Sequence, residues 1–105
     1  MSTTATIHAR GCALIVDDEP YVAELLSDAL SSEGFTPVVA ADGLAALRRA
    51  RQYGPDVIVL DIGLPGLDGF EVCRALRKET AAPIIVVSAR GDEMGGLMRR
   101  RSFRR

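Results

Sequence analysis

Tryptophan is absent from this 105-residue chain, and aromatic residues make up only 5% of it. A core must therefore be packed from aliphatic side chains, which a hydrophobic content of 48% supplies. No run approaches the ~20 apolar residues of a membrane span, and residues 1–10 lack the apolar core of a signal peptide. At this length the chain forms one small domain at most. We interpret residues 1–10 as a disordered leader.

Histidine and cysteine are also scarce. The one histidine, His8, lies in the polar leader, where a solvated side chain is favoured over a ligand role. The two cysteines, Cys12 and Cys73, have no metal-ligand spacing. We interpret them as free, buried thiols of a cytoplasmic protein, and we disfavour a disulfide between them.

The charge is unevenly distributed, although the formal net charge is only −1. Five of the 13 basic residues lie in the last seven positions, so residues 1–98 carry the remaining 8 against 14 acidic groups. An acidic body argues against nucleic-acid binding by those residues. A basic tail is able to contact nucleic acid electrostatically, but we favour a solvated, disordered end. The five arginines are Arg99, Arg100, Arg101, Arg104 and Arg105.

Short apolar runs alternate with segments of helical periodicity, which predicts (βα)₃β and a parallel, doubly wound α/β sheet. Pro20 opens the first helix, Gly34 is its left-handed cap, and Asp42 caps the second. A third helix carries Val72, Cys73 and Leu76. The predicted strands are 12–16, 36–40, 56–60 and 84–88.

The alternation stops after Ser88. Gly95 and Gly96 weaken any helix there by roughly 1 kcal/mol each relative to alanine. The last residues contain no strand-like run, so the sequence predicts a sheet that ends at its fourth strand.

Three aspartates follow the predicted strands. Asp17 and Asp18 end the first apolar run, and Asp61 ends the third. Parallel strands bring their carboxyl ends to one edge of the sheet, where open α/β sheets bind ligands. Three carboxylates there repel one another unless a hard cation is present, and Mg²⁺ suits an oxygen-only site.

A carboxylate at such a site is able to attack phosphorus and form an acyl phosphate. Asp61 is the better candidate nucleophile, because it stands alone before a glycine-containing loop. Ser88 ends the neighbouring strand, where its hydroxyl is within reach of a phosphoryl oxygen, and the small Ala89 leaves access open. Two structural alternatives stay open: Ser88 bonds nearby backbone, and Asp17 and Asp18 only cap the following helix.

Five motifs occur along the chain in this order: Ile15-Val-Asp-Asp-Glu-Pro20, Ala41-Asp-Gly43, Asp56-Val-Ile-Val-Leu-Asp61, Leu64-Pro-Gly-Leu-Asp-Gly69 and Pro83-Ile-Ile-Val-Val-Ser-Ala-Arg90. In order and spacing they resemble the receiver domain of bacterial two-component response regulators, from about Cys12 to Glu93. The middle segment is most similar to that of regulators whose receiver precedes a winged-helix DNA-binding domain.

The resemblance implies a flavodoxin-like fold with strand order 2-1-3-4, and a signalling domain that is not an enzyme. By this resemblance Asp61 accepts a phosphoryl group from the histidine of a sensor kinase. Asp18 ligates Mg²⁺ directly, Asp17 acts largely through water, and the backbone carbonyl of Gly63 completes the protein ligands. Ser88 occupies the hydroxyl switch position.

The sequence departs from the family after Glu93. Receivers carry a lysine and a switch aromatic on a fifth strand, whereas the one lysine here is Lys78, in the third helix. We therefore interpret 11–93 as an incomplete receiver and 94–105 as a non-family tail, produced by truncation or a frameshift. The fifth strand, the last helix and a DNA-binding domain are expected to be missing. An exposed sheet edge is then available for self-association, and switching is impaired.

Two other functions stay open at this point. A phosphorylation-independent interaction module, or a fragment without function, is the main alternative to a phosphoacceptor. A Mg²⁺-dependent phosphohydrolase with an aspartate nucleophile is disfavoured, because Gly63 stands where that class has its second aspartate.

Overall fold

The computed structural model describes residues 10–61, 69–88 and 99–103, the last segment and Ser88 by their backbone alone. Strands and helices alternate along the first two segments, and one more strand follows. The elements are β1 (Cys12–Val16), α1 (Pro20–Ser32), β2 (Thr36–Ala40), α2 (Gly43–Tyr53), β3 (Val57–Asp61), α3 (Gly69–Glu79), β4 (Ile84–Ser88) and β5 (Arg99–Phe103).

The strands form one sheet in the order β2-β1-β3-β4-β5, and the first four are parallel. The predicted fold class and strand order 2-1-3-4 are therefore confirmed. The bounds of β1, β2 and β4 are as predicted, but β3 is displaced by one residue. Asp61 remains within the ladder, in register with Val87. Asp56 instead precedes the strand, and its carboxylate Oδ2 accepts a hydrogen bond of 2.8 Å from the amide of Cys12.

The prediction that the chain ends without a strand is wrong. β5 pairs antiparallel with β4, from Ser88 opposite Arg99 to Ile84 opposite Phe103. An open strand edge offers unpaired N–H and C=O groups to any backbone, whatever its side chains, and β propensity is strongly dependent on context. β5 is thus the fifth strand of the sheet, and it runs antiparallel to the first four. No helix follows Glu79 in the described residues.

The exposed edge predicted for self-association is accordingly covered, because β5 pairs with every residue of β4. The outer strand is now Arg99–Phe103, which contains three arginines. Charged residues on an edge strand disfavour edge-to-edge pairing with another chain.

The core is aliphatic, as the composition requires. One face of the sheet packs against α2 and α3, and the buried side chains between them form the main core cluster. The helix α1 contacts β1 and β2, and its buried Ala23 lies outside that cluster. Alternate residues of β1, Ala13 and Ile15, are also fully buried outside the cluster, so helices cover both faces of that strand. The largest members of the cluster are Leu14, Val16, Ile58, Leu60, Val72, Leu76, Ile84 and Val86.

The predicted helix ends are confirmed. Pro20 is the first residue of α1, and Gly34 just beyond it has a φ of 100°. At α2 the Asp42 carboxylate accepts a hydrogen bond of 2.8 Å from the amide of Ala45. Cys12 and Cys73 are free thiols. None of the helices in the described segments is long and apolar enough to cross a membrane.

Candidate functional site

The register of the two central strands positions the acidic residues. Val16 at the end of β1 lies opposite Leu60 of β3, so the next residues, Asp17 and Asp61, reach the same edge. The amide of Asp17 continues the ladder by donating a hydrogen bond of 3.0 Å to the carbonyl of Ala40. Backbone pairing therefore fixes both aspartates on neighbouring strands at the carboxyl edge.

The three predicted aspartates form one cluster. One carboxylate oxygen from each of Asp17, Asp18 and Asp61 lies within 4.8 Å of the others. Asp17 and Asp61 are buried, with 2% and 7% of their surface exposed, whereas Asp18 is exposed. The cluster thus consists of two buried carboxylates and one that is exposed to solvent.

Asp17 is the most deeply buried member of the cluster. Its Oδ1 accepts a hydrogen bond of 2.9 Å from the amide of Glu19. Its Oδ2 is buried and has no hydrogen-bond partner among the described residues. Burial raises the pKa of Asp17, the negative charges of Asp61, Asp18 and Glu19 raise it further, and the Glu19 amide opposes this rise.

These observations test whether the residues fit a divalent cation. An unpartnered buried carboxylate oxygen is costly in an apolar surrounding, and a cation at the cluster would satisfy it. The donor atoms are all oxygens, the set that Mg²⁺ prefers. The cluster therefore fits such an ion.

The capping alternative for the paired aspartates gains no support from the structure. The residue that precedes α1 is Glu19, which makes no side-chain capping hydrogen bond, and the first turn of α1 contains no acidic residue. The carboxylate of Asp17 bonds the amide of Glu19 in a turn instead.

The other predicted site residues are placed less completely. Ser88 is the last residue of β4, one position beyond Val87, which lies opposite Asp61. Gly63, Ala89 and His8 lie outside the described residues. Sequence reasoning missed the Glu19 amide and the placement of Arg99 opposite Ser88. The pairing of Arg99 with Ser88 is made by the backbone, so no side-chain pattern signals it. The Glu19 amide bonds the Asp17 carboxylate two residues before it, a local contact that aspartate commonly makes in turns.

An acidic cluster at the carboxyl edge of a doubly wound sheet defines an α/β domain of the kind that binds ligands at that edge. The family model described as response regulator receiver domain matches residues 13–97, so the chain belongs to that family. The predicted resemblance is confirmed. β5 lies beyond the matched residues.

Individual proteins agree with this assignment. The chain is 44% identical over 79 residues to the DNA-binding response regulator MtrA of Mycolicibacterium smegmatis, covering 75% of this chain and 35% of MtrA. It thus spans about a third of that relative's length. Among solved structures, the response regulator TrrA of Thermotoga maritima in complex with Mg²⁺-BeF superposes with a TM-score of 0.71 at 36% identity, covering 83% of this chain and 76% of that one. TrrA in complex with the histidine kinase ThkA gives a TM-score of 0.69 at 39% identity, covering 75% and 69%.

The raised pKa of Asp17 predicts a pH dependence of stability. Without divalent cations, the native state holds this proton more tightly than the unfolded chain does. The free energy of unfolding should therefore fall as the pH rises from the ordinary aspartate range through the raised pKa. Asp17→Asn removes the titration, so it should flatten this fall and stabilise the cation-free protein at neutral pH.

Urea unfolding in chelator, measured from acidic to neutral pH, checks this expectation. Asp28→Asn, which neutralises an exposed carboxylate on α1, is the matched control and should keep the wild-type slope. An unchanged slope in Asp17→Asn would contradict the assignment of the unfavourable charge to Asp17.

Proposed function

We propose that this chain is a phosphoacceptor, in which Asp61 takes a phosphoryl group from the histidine of a sensor kinase. The observation that carries the proposal is the convergence of Asp17, Asp18 and Asp61 within 4.8 Å at the carboxyl edge. The complex of TrrA with the histidine kinase ThkA supports the choice of donor. The two free thiols suit the reducing conditions of the cytoplasm.

The carboxylates would have different roles, and Asp61 would be both a cation ligand and the nucleophile. Asp18 and Asp61, with the backbone carbonyl of Gly63, would hold Mg²⁺, and Asp17 would act on it largely through water. When bound, the ion offsets negative charge on the transferring phosphoryl oxygens. Asp17 is buried, and its carboxylate is held by the Glu19 amide.

The proposed step is a simple displacement at phosphorus. One carboxylate oxygen of Asp61 forms a bond to the phosphorus while the phosphorus–nitrogen bond to the donor imidazole breaks. The electron pair of that bond stays on the imidazole nitrogen, which takes up a proton when it leaves. Ser88, one strand away, would donate its hydroxyl hydrogen to a phosphoryl oxygen. Such transfer depends on positioning and charge more than on elaborate covalent chemistry.

We also propose that this phosphoacceptor switches less completely than family members with a lysine on a parallel fifth strand. The aromatic residue of β5, Phe103, pairs with Ile84 at the amino edge, at the far end of the strand from Ser88. One hydrogen bond from Ser88 contributes roughly 0.5–1.5 kcal/mol. Changing the ratio of the switched to the unswitched conformation from 1:99 to 99:1 needs about 5.5 kcal/mol of differential binding. The hydrogen bond from Ser88 alone falls short of this.

Asp61 is expected to be the sole site of acyl-phosphate formation. Incubation with a small phosphodonor and Mg²⁺ should add one phosphoryl mass to the chain, and Asp61→Asn should abolish the addition. Intact-mass spectrometry before and after hydroxylamine treatment, which cleaves acyl phosphates, makes the measurement. Asp28→Asn serves as the surface control. An added phosphoryl mass in Asp61→Asn that hydroxylamine removes would refute the assignment.

The same variant tests the main alternative function. A phosphorylation-independent interaction module would bind its partner kinase equally well whether a carboxylate or an amide stands at this position. Equal affinity of wild type and Asp61→Asn, with no phosphoryl addition to either, would favour that alternative.

A Mg²⁺ site at the cluster should depend on Asp18. Asp18→Ala removes one carboxylate, so Mg²⁺ affinity should fall by at least about tenfold, in the range typical of lost ligands or their supports. The cation-free variant should be no less stable than wild type, because repulsion is relieved. Calorimetric titration with Mg²⁺ and thermal unfolding in chelator measure the two quantities. Undiminished Mg²⁺ affinity would count decisively against the site.

Incomplete switching is expected to show in hydrogen exchange. Beryllofluoride with Mg²⁺, a stable mimic of the phosphoryl group, should protect only amides near Asp18, Asp61 and Ser88. Protection that spreads through residues 89–105, or a dimer formed only with the mimic, would contradict the proposal.

A further inference from the structure

The charged residues of the three helices are segregated between the two faces of the sheet. α1, on one face, contains two acidic residues, Glu24 and Asp28, and no basic residue. α2 and α3 lie together on the other face and contain six basic residues and two acidic ones. The domain is therefore acidic on one side and basic on the other. The six basic residues are Arg48, Arg49, Arg51, Arg74, Arg77 and Lys78.

The basic side is only partly explained by contacts within the chain. Arg51 forms a salt bridge of 2.9 Å with Glu79, which joins α2 to α3. Arg48 and Arg74 are exposed, and neither forms an ion pair among the described residues. Both precede the last turn of their helices, where a basic residue interacts favourably with the helix dipole. Their charges are thus available to a partner.

The acidic pair on α1 does not stabilise its own helix. Glu24 and Asp28 are exposed and one turn apart, a spacing at which like charges disfavour a helix. The last turn of α1 contains no basic residue that would offset them. Neither carboxylate forms an ion pair in the described segments. A basic surface from outside the domain would relieve this repulsion.

Large apolar side chains lie beside these charges. On α1, Tyr21 and Leu25 are 70% and 50% exposed, and on α2 Leu44 is 64% exposed. Tyr21 and Leu44 each lie in the first turn of their helix, and the charges follow in the next turns. Two such helices packed in parallel would set apolar residues beside apolar ones and acids beside bases. We define the acidic face as Tyr21, Glu24, Leu25 and Asp28, and the basic face as Leu44, Arg48 and Arg74.

The positions of the two faces decide which partner fits them. They lie on opposite sides of the sheet, so they cannot meet within one chain, whereas a second copy presents the complementary face to each. The formal net charge of −1 produces little overall repulsion between copies. A contact between two different surfaces of identical chains is heterologous, so a free face of each sign remains for further copies.

We propose that the acidic face of one copy binds the basic face of a second copy, so that this chain assembles head to tail. The contact is made by the helices and not by the carboxyl edge or β5. It requires no phosphoryl group on Asp61 and does not rest on the proposed function. Charge complementarity sets orientation and association rate more than affinity, so the assembly is expected to be weak and sensitive to salt.

Sedimentation velocity of the full chain measures this assembly. At low ionic strength the weight-average sedimentation coefficient should rise with protein concentration, in the absence of any phosphodonor or mimic. At about 1 M salt, where the Debye length is ~3 Å, it should return towards the monomer value.

Charge reversal tests both faces. Glu24→Lys with Asp28→Lys makes both faces basic, and Arg48→Glu with Arg74→Glu makes both acidic. Each double variant alone should associate at least about tenfold more weakly than wild type, because like charges then meet. An equimolar mixture of the two variants again pairs opposite charges and should recover assembly. A chain with all four changes keeps the wild-type net charge and should recover it too.

The remaining outcomes reject the proposal. Urea unfolding establishes that each variant is folded, and Glu24→Gln with Asp28→Asn provides a milder change if the lysine pair is unstable. A wild-type chain that stays monomeric at low salt overturns head-to-tail assembly, as does association that survives in either double variant or fails to return in the mixture. A closed dimer that adds no further copies would indicate a symmetric contact and also overturn it. DNA that binds a monomeric chain, and is released by Arg48→Glu with Arg74→Glu, would assign the basic face to a polyanion instead.

Discussion

The parallel register of β1 against β3 is the constraint on which the rest of this molecule depends. It sets Val16 opposite Leu60 and thereby delivers Asp17 and Asp61 to one edge. A slip by one residue would turn every side chain of a strand to the opposite face. Both strands are buried on two faces, so such a slip would exchange the side chains that pack on the two sides of the sheet and disrupt the packing on both. The hydrophobic core therefore determines the position of the charged site.

The main energetic penalty of this arrangement is the burial of the Asp17 carboxylate. The apolar surroundings that hold the strands in register also withdraw its carboxylate from water, and one of its oxygens has no partner in the described residues. The nearby carboxylates add repulsion. Natural proteins place such locally unfavourable groups where a ligand relieves them. We therefore expect the stability of the domain to depend, through Asp17, on whether a cation occupies the cluster.

Much of this fold could be predicted from the sequence, for identifiable reasons. Pro20, Asp42 and Gly34 mark helix ends because each meets a local backbone requirement, and short aliphatic runs mark strands buried on both faces. The predicted start of β3 is one residue early because Asp56 directly precedes the apolar run and is counted with it, whereas its carboxylate accepts a hydrogen bond from the amide of Cys12 outside the ladder. Proximity of the three aspartates follows from topology alone.

What sequence reasoning missed has a different physical origin. β5 is rich in arginine and has no apolar alternation, so no side-chain pattern marks it as a strand. It pairs with the edge of β4 through the backbone, and every residue of Arg99–Phe103 has an N–H and a C=O for such pairing. The burial of Asp17 is likewise a tertiary effect, since nothing in an Asp-Asp pair indicates which carboxylate loses its water.

The reversed direction of β5 also bears on how the chain folds. Its pairs with β4 join residues 11 to 19 positions apart, whereas the pairs between β1 and β3 join residues 44 positions apart. Local pairings require less loop closure and form sooner than distant ones. We therefore expect the outer hairpin-like pair to form early, with the central parallel pair, and the acidic edge it creates, among the last features to assemble.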